Sequence, residues 1–185
     1  VLEKDARFKT LMDGWVAREK DLSSDAAKQK YETALAAWKK RADEAKAKKV
    51  EFRERAPQSP QQQLSGNSRP GNIYNGVLLP TIGYGIKGAI WYQGESNAGR
   101  AYEYGYLFPL MITHWRDEWK QGDFPFYWVQ LADFKAEQPL PGDSDWAELR
   151  ESQTKTQNVI KNGGQAVIID IGEGKDIHPT NKRDV

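Results

Sequence analysis

The sequence predicts an α/β protein built on a parallel sheet, and three observations carry that reading. Short apolar runs rich in β-branched and aromatic residues recur at residues 88–92, 124–131 and 166–170. Between them lie stretches with apolar residues at helical spacing, over 101–120 and 146–162. The run Phe124-Pro125-Phe126-Tyr127-Trp128-Val129-Gln130-Leu131 is also nearly continuous in apolar character, as strands of parallel sheets are. Strand, helix, strand, helix, strand in that order implies right-handed crossovers between parallel strands.

Composition sets the limits. The chain has 185 residues, enough for one domain with a real core. Its averages, 38% hydrophobic and 29% charged, hide two unlike parts: residues 1–60 are rich in Ala, Lys, Glu and Arg, whereas 72–171 hold most of the apolar segments. A net charge of +1 gives no electrostatic case for nucleic acid or an anionic membrane. The one basic tract, Lys46, Lys48, Lys49, Arg53 and Arg55, is cancelled by Glu44, Glu51 and Glu54. The absence of cysteine excludes disulfides, thiolate metal sites and a cysteine nucleophile. No apolar run approaches the ~18 residues of a membrane span. The chain opens on Val1 rather than Met and stops soon after a polar motif, so it is expected to be a piece of a longer polypeptide.

Taken in order, residues 2–20 are expected to be helical, with Phe8, Leu11, Trp15 and Val16 in a stripe. Ser23, Ser24 and Asp25 offer a cap for a second helix over 25–49, whose apolar positions are Tyr31, Leu35, Trp38 and Ala42. The two form a helical pair, packed through Trp15, Tyr31 and Trp38, that makes up residues 1–60. Residues 61–72 finish a Pro-, Gln- and Gly-rich linker that begins near 56, and 73–185 form the α/β part. Residues 73–80 read as a short helix or as an extended piece ending at Pro80. The helix over 101–120 carries Tyr104, Phe108, Met111, Ile112, Trp115 and Trp119 on one face, and Pro109 should kink or divide it. Ser144 or Asp145 caps the next helix, whose inner face is Trp146, Leu149, Gln153, Thr156 and Ile160, and Gly163-Gly164 ends it.

Chemistry concentrates at two places. After the first strand comes Gln93-Gly94-Glu95-Ser96-Asn97, a polar turn leading into a helix, which is where open α/β sheets place ligands. Of the two histidines, His114 sits in the aromatic helix and reads as structural. His178 lies in a Gly-rich loop beyond the third strand, near Asp176 and beside Pro179, a setting that suits a general base. Strands of a parallel sheet open their C-terminal ends on one edge, so the two places should face each other. Gly94-Glu95-Ser96-Asn97-Ala98 nearly spells the Gly-x-Ser-x-Gly elbow of α/β-hydrolases, which would make Ser96 a nucleophile. Ala98 in place of the last glycine, and an acid almost adjacent to its histidine, argue against it. Glu95, Asp170, Glu173, Asp176 and His178 show no diagnostic ligand spacing, so no metal is assigned.

Trp91-Tyr92-Gln93-Gly94-Glu95-Ser96-Asn97-Ala98 resembles the signature of the sialate O-acetylesterase family, within the SGNH hydrolases. The likeness continues through Ile73-Tyr74-Asn75-Gly76, the 125–132 strand and Trp146-Ala147-Glu148-Leu149-Arg150, and closes on Asp176-Ile177-His178-Pro179. The resemblance implies a flavodoxin-like three-layer α/β/α sandwich, here truncated, with residues 1–60 as a helical insertion. It implies hydrolysis of acetyl esters on sugars by serine and histidine, without a cofactor. It makes His178 the base and Asp176 the candidate acid, although the usual Asp-x-x-His pattern has Lys175 where its acid should be. It assigns Gln93, Gly94, Glu95, Ser96 and Asn97 to the oxyanion hole and substrate positioning. The family's nucleophile lies in a Gly-Gln-Ser-Asn block that these 185 residues lack, so it is expected upstream, and the fragment alone is expected to be inactive. The implied partner is an acetylated sugar or polysaccharide, the implied setting secreted or periplasmic. Two other readings stay open at this point: a non-catalytic carbohydrate-binding or interaction module using Trp91, Tyr92 and Trp128, and an α/β-hydrolase using Ser96.

Overall fold

A computed structural model describes residues 6–136, 138–178 and 180–185. It divides the chain into two units, Val1–Thr81 and Ile82–Val185. In the first, a 3₁₀ turn over Ala6–Phe8 leads into helix α1, Lys9–Leu22, and α2 spans Asp25–Ala47. Of the expected first helix, residues 2–5 lie outside the described residues. The Ser24 hydroxyl accepts the Ala27 N–H at 3.2 Å and so satisfies an orphan donor at the start of α2. Trp38 does not simply zip the two helices. Its indole N–H donates to the Glu54 carbonyl at 2.9 Å and its ring meets Phe52 edge-on at 5.7 Å, while Arg41 grips the Glu54 carboxylate. The 52–54 segment therefore folds back along α2. Within the expected linker, Ser59 and Gln62 form a capping box with Pro60 in the first turn, which is enough to set a short helix α3, Pro60–Ser65. The helical alternative holds for the stretch after it: a π-helical turn over Tyr74–Leu78 runs into a 3₁₀ turn over Leu79–Thr81.

The second unit is α/β. Strands β1 (Ala89–Trp91), β2 (Phe126–Val129) and β3 (Gly163–Ala166) form a parallel sheet with β2 in the centre. Helix α4 (Ala101–Trp119) connects the first two strands, and α5 (Asp145–Lys155) with a 3₁₀ turn over Thr156–Asn158 connects the last two. Pro109 does not divide α4. Phe108 is the hub of the core: its ring meets Trp91, Tyr104, Phe126 and Trp128 at 5.2–6.3 Å between centroids. Leu149, Gln153, Thr156 and Ile160 are buried as the spacing predicts, and so is Trp146.

The third strand is displaced from its expected place. It lies at Gly163–Ala166, not at 166–170. Here Gly163-Gly164 is strand rather than helix terminator. A Cβ on Gly163 would stand 3.0 Å from Trp128 Cζ3, and one on Gly164 would stand 3.0 Å from Tyr127 Cδ1. The neighbouring aromatics thus occupy the space that side chains on β3 would need. Beyond Ala166, whose carbonyl takes the Gln130 N–H at 2.9 Å, the chain leaves the sheet, and Ile168 closes over Val129 and Ala132 with Tyr92 and Ile171 beside it.

Register puts Ile90, Tyr127 and Gly164 in one row across the sheet. Ile90 is 84% exposed and Tyr127 51%, whereas the alternate residues Phe126 and Trp128 are buried. One face of the sheet is therefore covered and the other open. At the opposite edge from the polar turn, the buried Arg116 guanidinium donates to the carbonyls of Phe124, Lys161 and Asn162, tying the entries to β2 and β3 together.

Candidate functional site

The C-terminal end of β1 runs into the polar turn through a network that holds its backbone. The Gln93 carbonyl accepts from the Tyr104 hydroxyl at 3.2 Å and from Gln153 Nε2 at 3.3 Å. Gln153 Oε1 takes the Leu131 N–H at 3.0 Å, so one fully buried amide joins the ends of β1 and β2. Trp91 Nε1 donates to the Tyr104 hydroxyl at 3.3 Å. Burial pushes the Tyr104 phenol up to about 12, with Glu95 adding to the shift. Gly94 follows in a conformation reserved for glycine, φ 156°, and a Cβ there would lie 3.0 Å from Leu149 Cδ2 and 3.2 Å from Gln153 Nε2.

The turn itself is self-bonded. Gln93 Nε2 donates to Asn97 Oδ1 at 2.8 Å, the Gly94 N–H donates to Glu95 Oε2 at 2.9 Å, and the Asn97 N–H donates to the Gly94 carbonyl at 2.8 Å. A 3₁₀ turn over Glu95–Arg100 then feeds α4. Ser96 is exposed and its hydroxyl makes no hydrogen bond among the described residues. It also lacks the strained backbone of a nucleophile elbow: the non-glycine residues described with positive φ are Lys49, Lys120, Lys135 and Asn162.

The second cluster stands on the loop after β3. Asp176 Oδ1 accepts the His178 backbone N–H at 2.8 Å and lies 3.5 Å from His178 Nδ1. The two-residue spacing thus lets one carboxylate engage both the backbone and the ring. Glu173 Oε1 accepts from both the Thr180 N–H, at 2.9 Å, and the Thr180 hydroxyl, at 2.6 Å, which closes the loop around His178. Those two bonds, the hydroxyl's first, hold the Glu173 carboxyl below its ordinary range. Pro179, expected to stiffen the histidine, lies outside the described residues.

Two contacts bind this loop to the strand ends. Lys182 Nζ sits 4.9 Å from the Tyr92 ring centroid, a cation–π contact one residue from Gln93. The Lys135 N–H donates to the Gly174 carbonyl at 3.0 Å, beyond the end of β2. Burial, and secondarily Glu95, raises the Tyr92 phenol. The loop is therefore on the same edge of the sheet as the 93–97 turn, although no hydrogen bond or ion pair among the described residues joins Asp176 or His178 to that turn. His114 lies on α4 with Nδ1 3.9 Å from Glu118, away from both clusters in sequence.

The residues 74–174 match the model of the family described as carbohydrate esterase, sialic acid-specific acetylesterase. The chain belongs to this family. Mouse sialate O-acetylesterase is 31% identical over 145 residues, covering 68% of this chain and 26% of its own. The human sialate O-acetylesterase is 28% identical over 143 residues, again 68% of this chain and 27% of its own. A crystal structure of a carbohydrate acetylesterase from Xanthomonas citri matches with a TM-score of 0.59 and 50% identity, over 65% of this chain and 29% of that one. The chain thus spans about a quarter of the length of the sialate O-acetylesterases it matches. Membership in the sialic acid-specific acetylesterase family does not favour the reading as a non-catalytic module.

Sequence reasoning missed the supports of both clusters. Gln153 was legible as a polar residue on an otherwise apolar helix face, but its bonds to the ends of two strands were not. Tyr104 read as core, which it is, while its hydroxyl also holds Gln93. Nothing in the local spelling signals that Glu173 would clasp Thr180 or that Lys182 would cover Tyr92.

Proposed function

We propose that this chain carries the base and part of the oxyanion hole of a carbohydrate O-acetylesterase that works by a serine–histidine mechanism. The observation that carries the reading is the Asp176–His178 pair, on the same sheet edge as a rigidly held 93–97 turn. The carboxylate beside Nδ1 favours the tautomer with its proton there, leaving Nε2 to accept a proton. The 3.5 Å separation is long for a hydrogen bond, as catalytic contacts are before substrate binds. His178 takes the proton from a serine hydroxyl as that oxygen bonds to the acetyl carbon. Gln93 and the backbone of the turn stabilise the developing oxyanion, and one such donor is worth about 10²–10³ in rate. His178 then returns the proton to the departing sugar hydroxyl, and a water, deprotonated by the same imidazole, releases acetate.

The serine of this scheme belongs to a segment outside these 185 residues, with Ser96 as neighbour rather than nucleophile. The fold in this reading is the three-layer α/β/α sandwich of the SGNH hydrolases. The open face of the sheet supports it, since parallel sheets are covered on both faces. Residues 1–60 are an insertion into that domain, and the substrate is an acetylated sugar or polysaccharide met outside the cytoplasm.

The test is acetate release from an aryl acetate by four proteins: the 185-residue chain, its Ser96→Ala variant, a longer chain that includes a Gly-Gln-Ser-Asn block, and the His178→Ala variant of that longer chain. Activity confined to the longer chain, and lowered about 10²–10⁴-fold by His178→Ala, is expected. Turnover by the short chain that vanishes in Ser96→Ala would overturn the assignment of the nucleophile.

A further inference from the structure

We propose that the groove between α4 and α5 binds a neutral pyranose ring of a glycan, as an accessory subsite beside the esterase site; this rests on the carbohydrate esterase reading. The groove measures about 460 Å³, within the roughly 300–1,000 Å³ of small-molecule sites. Its wall is aromatic. Tyr102 is 74% exposed, and its ring meets Tyr106 edge-on at 5.2 Å, with the two hydroxyls 3.2 Å apart. An exposed aromatic face held by a second ring presents a flat apolar surface of the kind that a sugar's C–H face covers.

Its floor is kept low by composition. Gly105 faces Ser152, and a Cβ at 105 would come within 3.4 Å of Ser152 Oγ. That hydroxyl already donates to the Ala101 carbonyl at 2.8 Å, bolting the two helices together under the groove. Its rim is polar. The Glu148 carboxylate makes no hydrogen bond or ion pair among the described residues, and Lys155 is paired with Glu151 at 2.7 Å. Two carboxylates against one ammonium leave the rim negative. Such a rim accepts hydrogen bonds from sugar hydroxyls and repels an anionic sugar. The groove therefore selects a neutral ring over a sialate.

Position adds to chemistry. Helix α4 begins directly after the 3₁₀ turn over Glu95–Arg100, so Tyr102 stands seven residues or fewer from every residue of the 95–100 turn that ends the candidate site. Ala101, which lines the groove, directly follows the last residue of that turn. The substrate class this implies is an oligosaccharide or polysaccharide rather than a single sugar.

The test is saturation-transfer difference NMR of the 185-residue chain with xylotetraose, cellotetraose and N-acetylneuraminic acid, which reads binding without turnover. Enhancement that depends on Tyr102 is expected for at least one neutral probe and not for the acid. Tyr102→Ala should weaken the neutral probe about tenfold, and Glu148→Gln should weaken it less. Tyr102 is exposed, so its variant should keep the circular dichroism of the parent. Silence from both neutral probes, neutral-probe binding that survives Tyr102→Ala, or acid binding that Tyr102→Ala abolishes would overturn the proposal. Binding that behaves as expected while the longer chain releases no acetate would leave the groove standing and sink the esterase mechanism instead.

Discussion

Tyr104 shows how much one side chain carries here. Its ring stacks on Phe108, while its hydroxyl takes the Trp91 N–H and holds the Gln93 carbonyl. Because burial raises its phenol to about 12, the folded chain keeps a proton there that the unfolded chain sheds near 10. Stability from this group is complete below pH 10 and is lost as pH rises from 10 towards 12. A two-unit shift corresponds to a few kcal/mol at most. Alkaline titration followed by circular dichroism should show this limb, and Tyr104→Phe should flatten it while lowering stability at neutral pH by about 1–3 kcal/mol. The residue scale was partly legible. That Asp176 lies near His178 could be read from the sequence; that its carboxylate would meet both the backbone N–H and the ring could not. The Tyr104 hydroxyl could not be assigned, because a tyrosine in an aromatic stripe looks the same with or without a partner.

Elements meet at glycines and at one buried arginine. Gly94 lies where β1 turns beneath α5, so Gly94→Ala must bend backbone at φ 156° and displace Leu149 or Gln153. Such strain costs about 1–3 kcal/mol, and urea unfolding should show the loss. The Gln93–Asn97 bond would be disturbed with it. At the other edge, Arg116→Met would remove the guanidinium's bonds to the Phe124 and Lys161 carbonyls and leave Asn162 with the Phe126 N–H alone. A loss of roughly 3 kcal/mol or more is expected by the same measurement, larger than for Gly94→Ala. Most elements could be read from periodicity, including α4, α5 and the buried polar Gln153 and Thr156. The third strand could not. Its two glycines look like a stop signal, and their reason for being in a sheet is the bulk of Trp128 and Tyr127 on the neighbouring strand, which no local window contains.

At the scale of the whole unit, the sheet is covered on one face and bare on the other. On that face Ile90 and Tyr127 are half exposed or more, and just past the end of β3 Val167 and Ile169 are about half exposed. Apolar surface of this kind drives association. The isolated 185-residue chain should bind a hydrophobic dye and show concentration-dependent sedimentation, and Ile90→Lys should weaken both. Because Ile90 has little packing to lose, that substitution should change the unfolding midpoint only slightly, and a large drop would mean the face is not bare in solution. The sequence hinted at this through near-continuous apolar strands, which only make sense with cover on both sides. It could not say which side lacked it, because that follows from where two crossover helices land.

Among the described residues, the loop that carries His178 is closed on itself by the Glu173 carboxylate on Thr180 and held to the strand ends by the Lys182 ammonium over Tyr92 and a backbone bond from Lys135. Exposed contacts of this sort stabilise little, far less than the aromatic core around Phe108. Opening the loop is therefore a local event, cheaper than unfolding the sheet. A brief digestion with trypsin should cut at Lys175 well before any site on the inner face of α4, releasing the histidine on a short peptide while the helices and strands stay whole. Glu173→Ala should speed that first cut and leave the later ones unchanged.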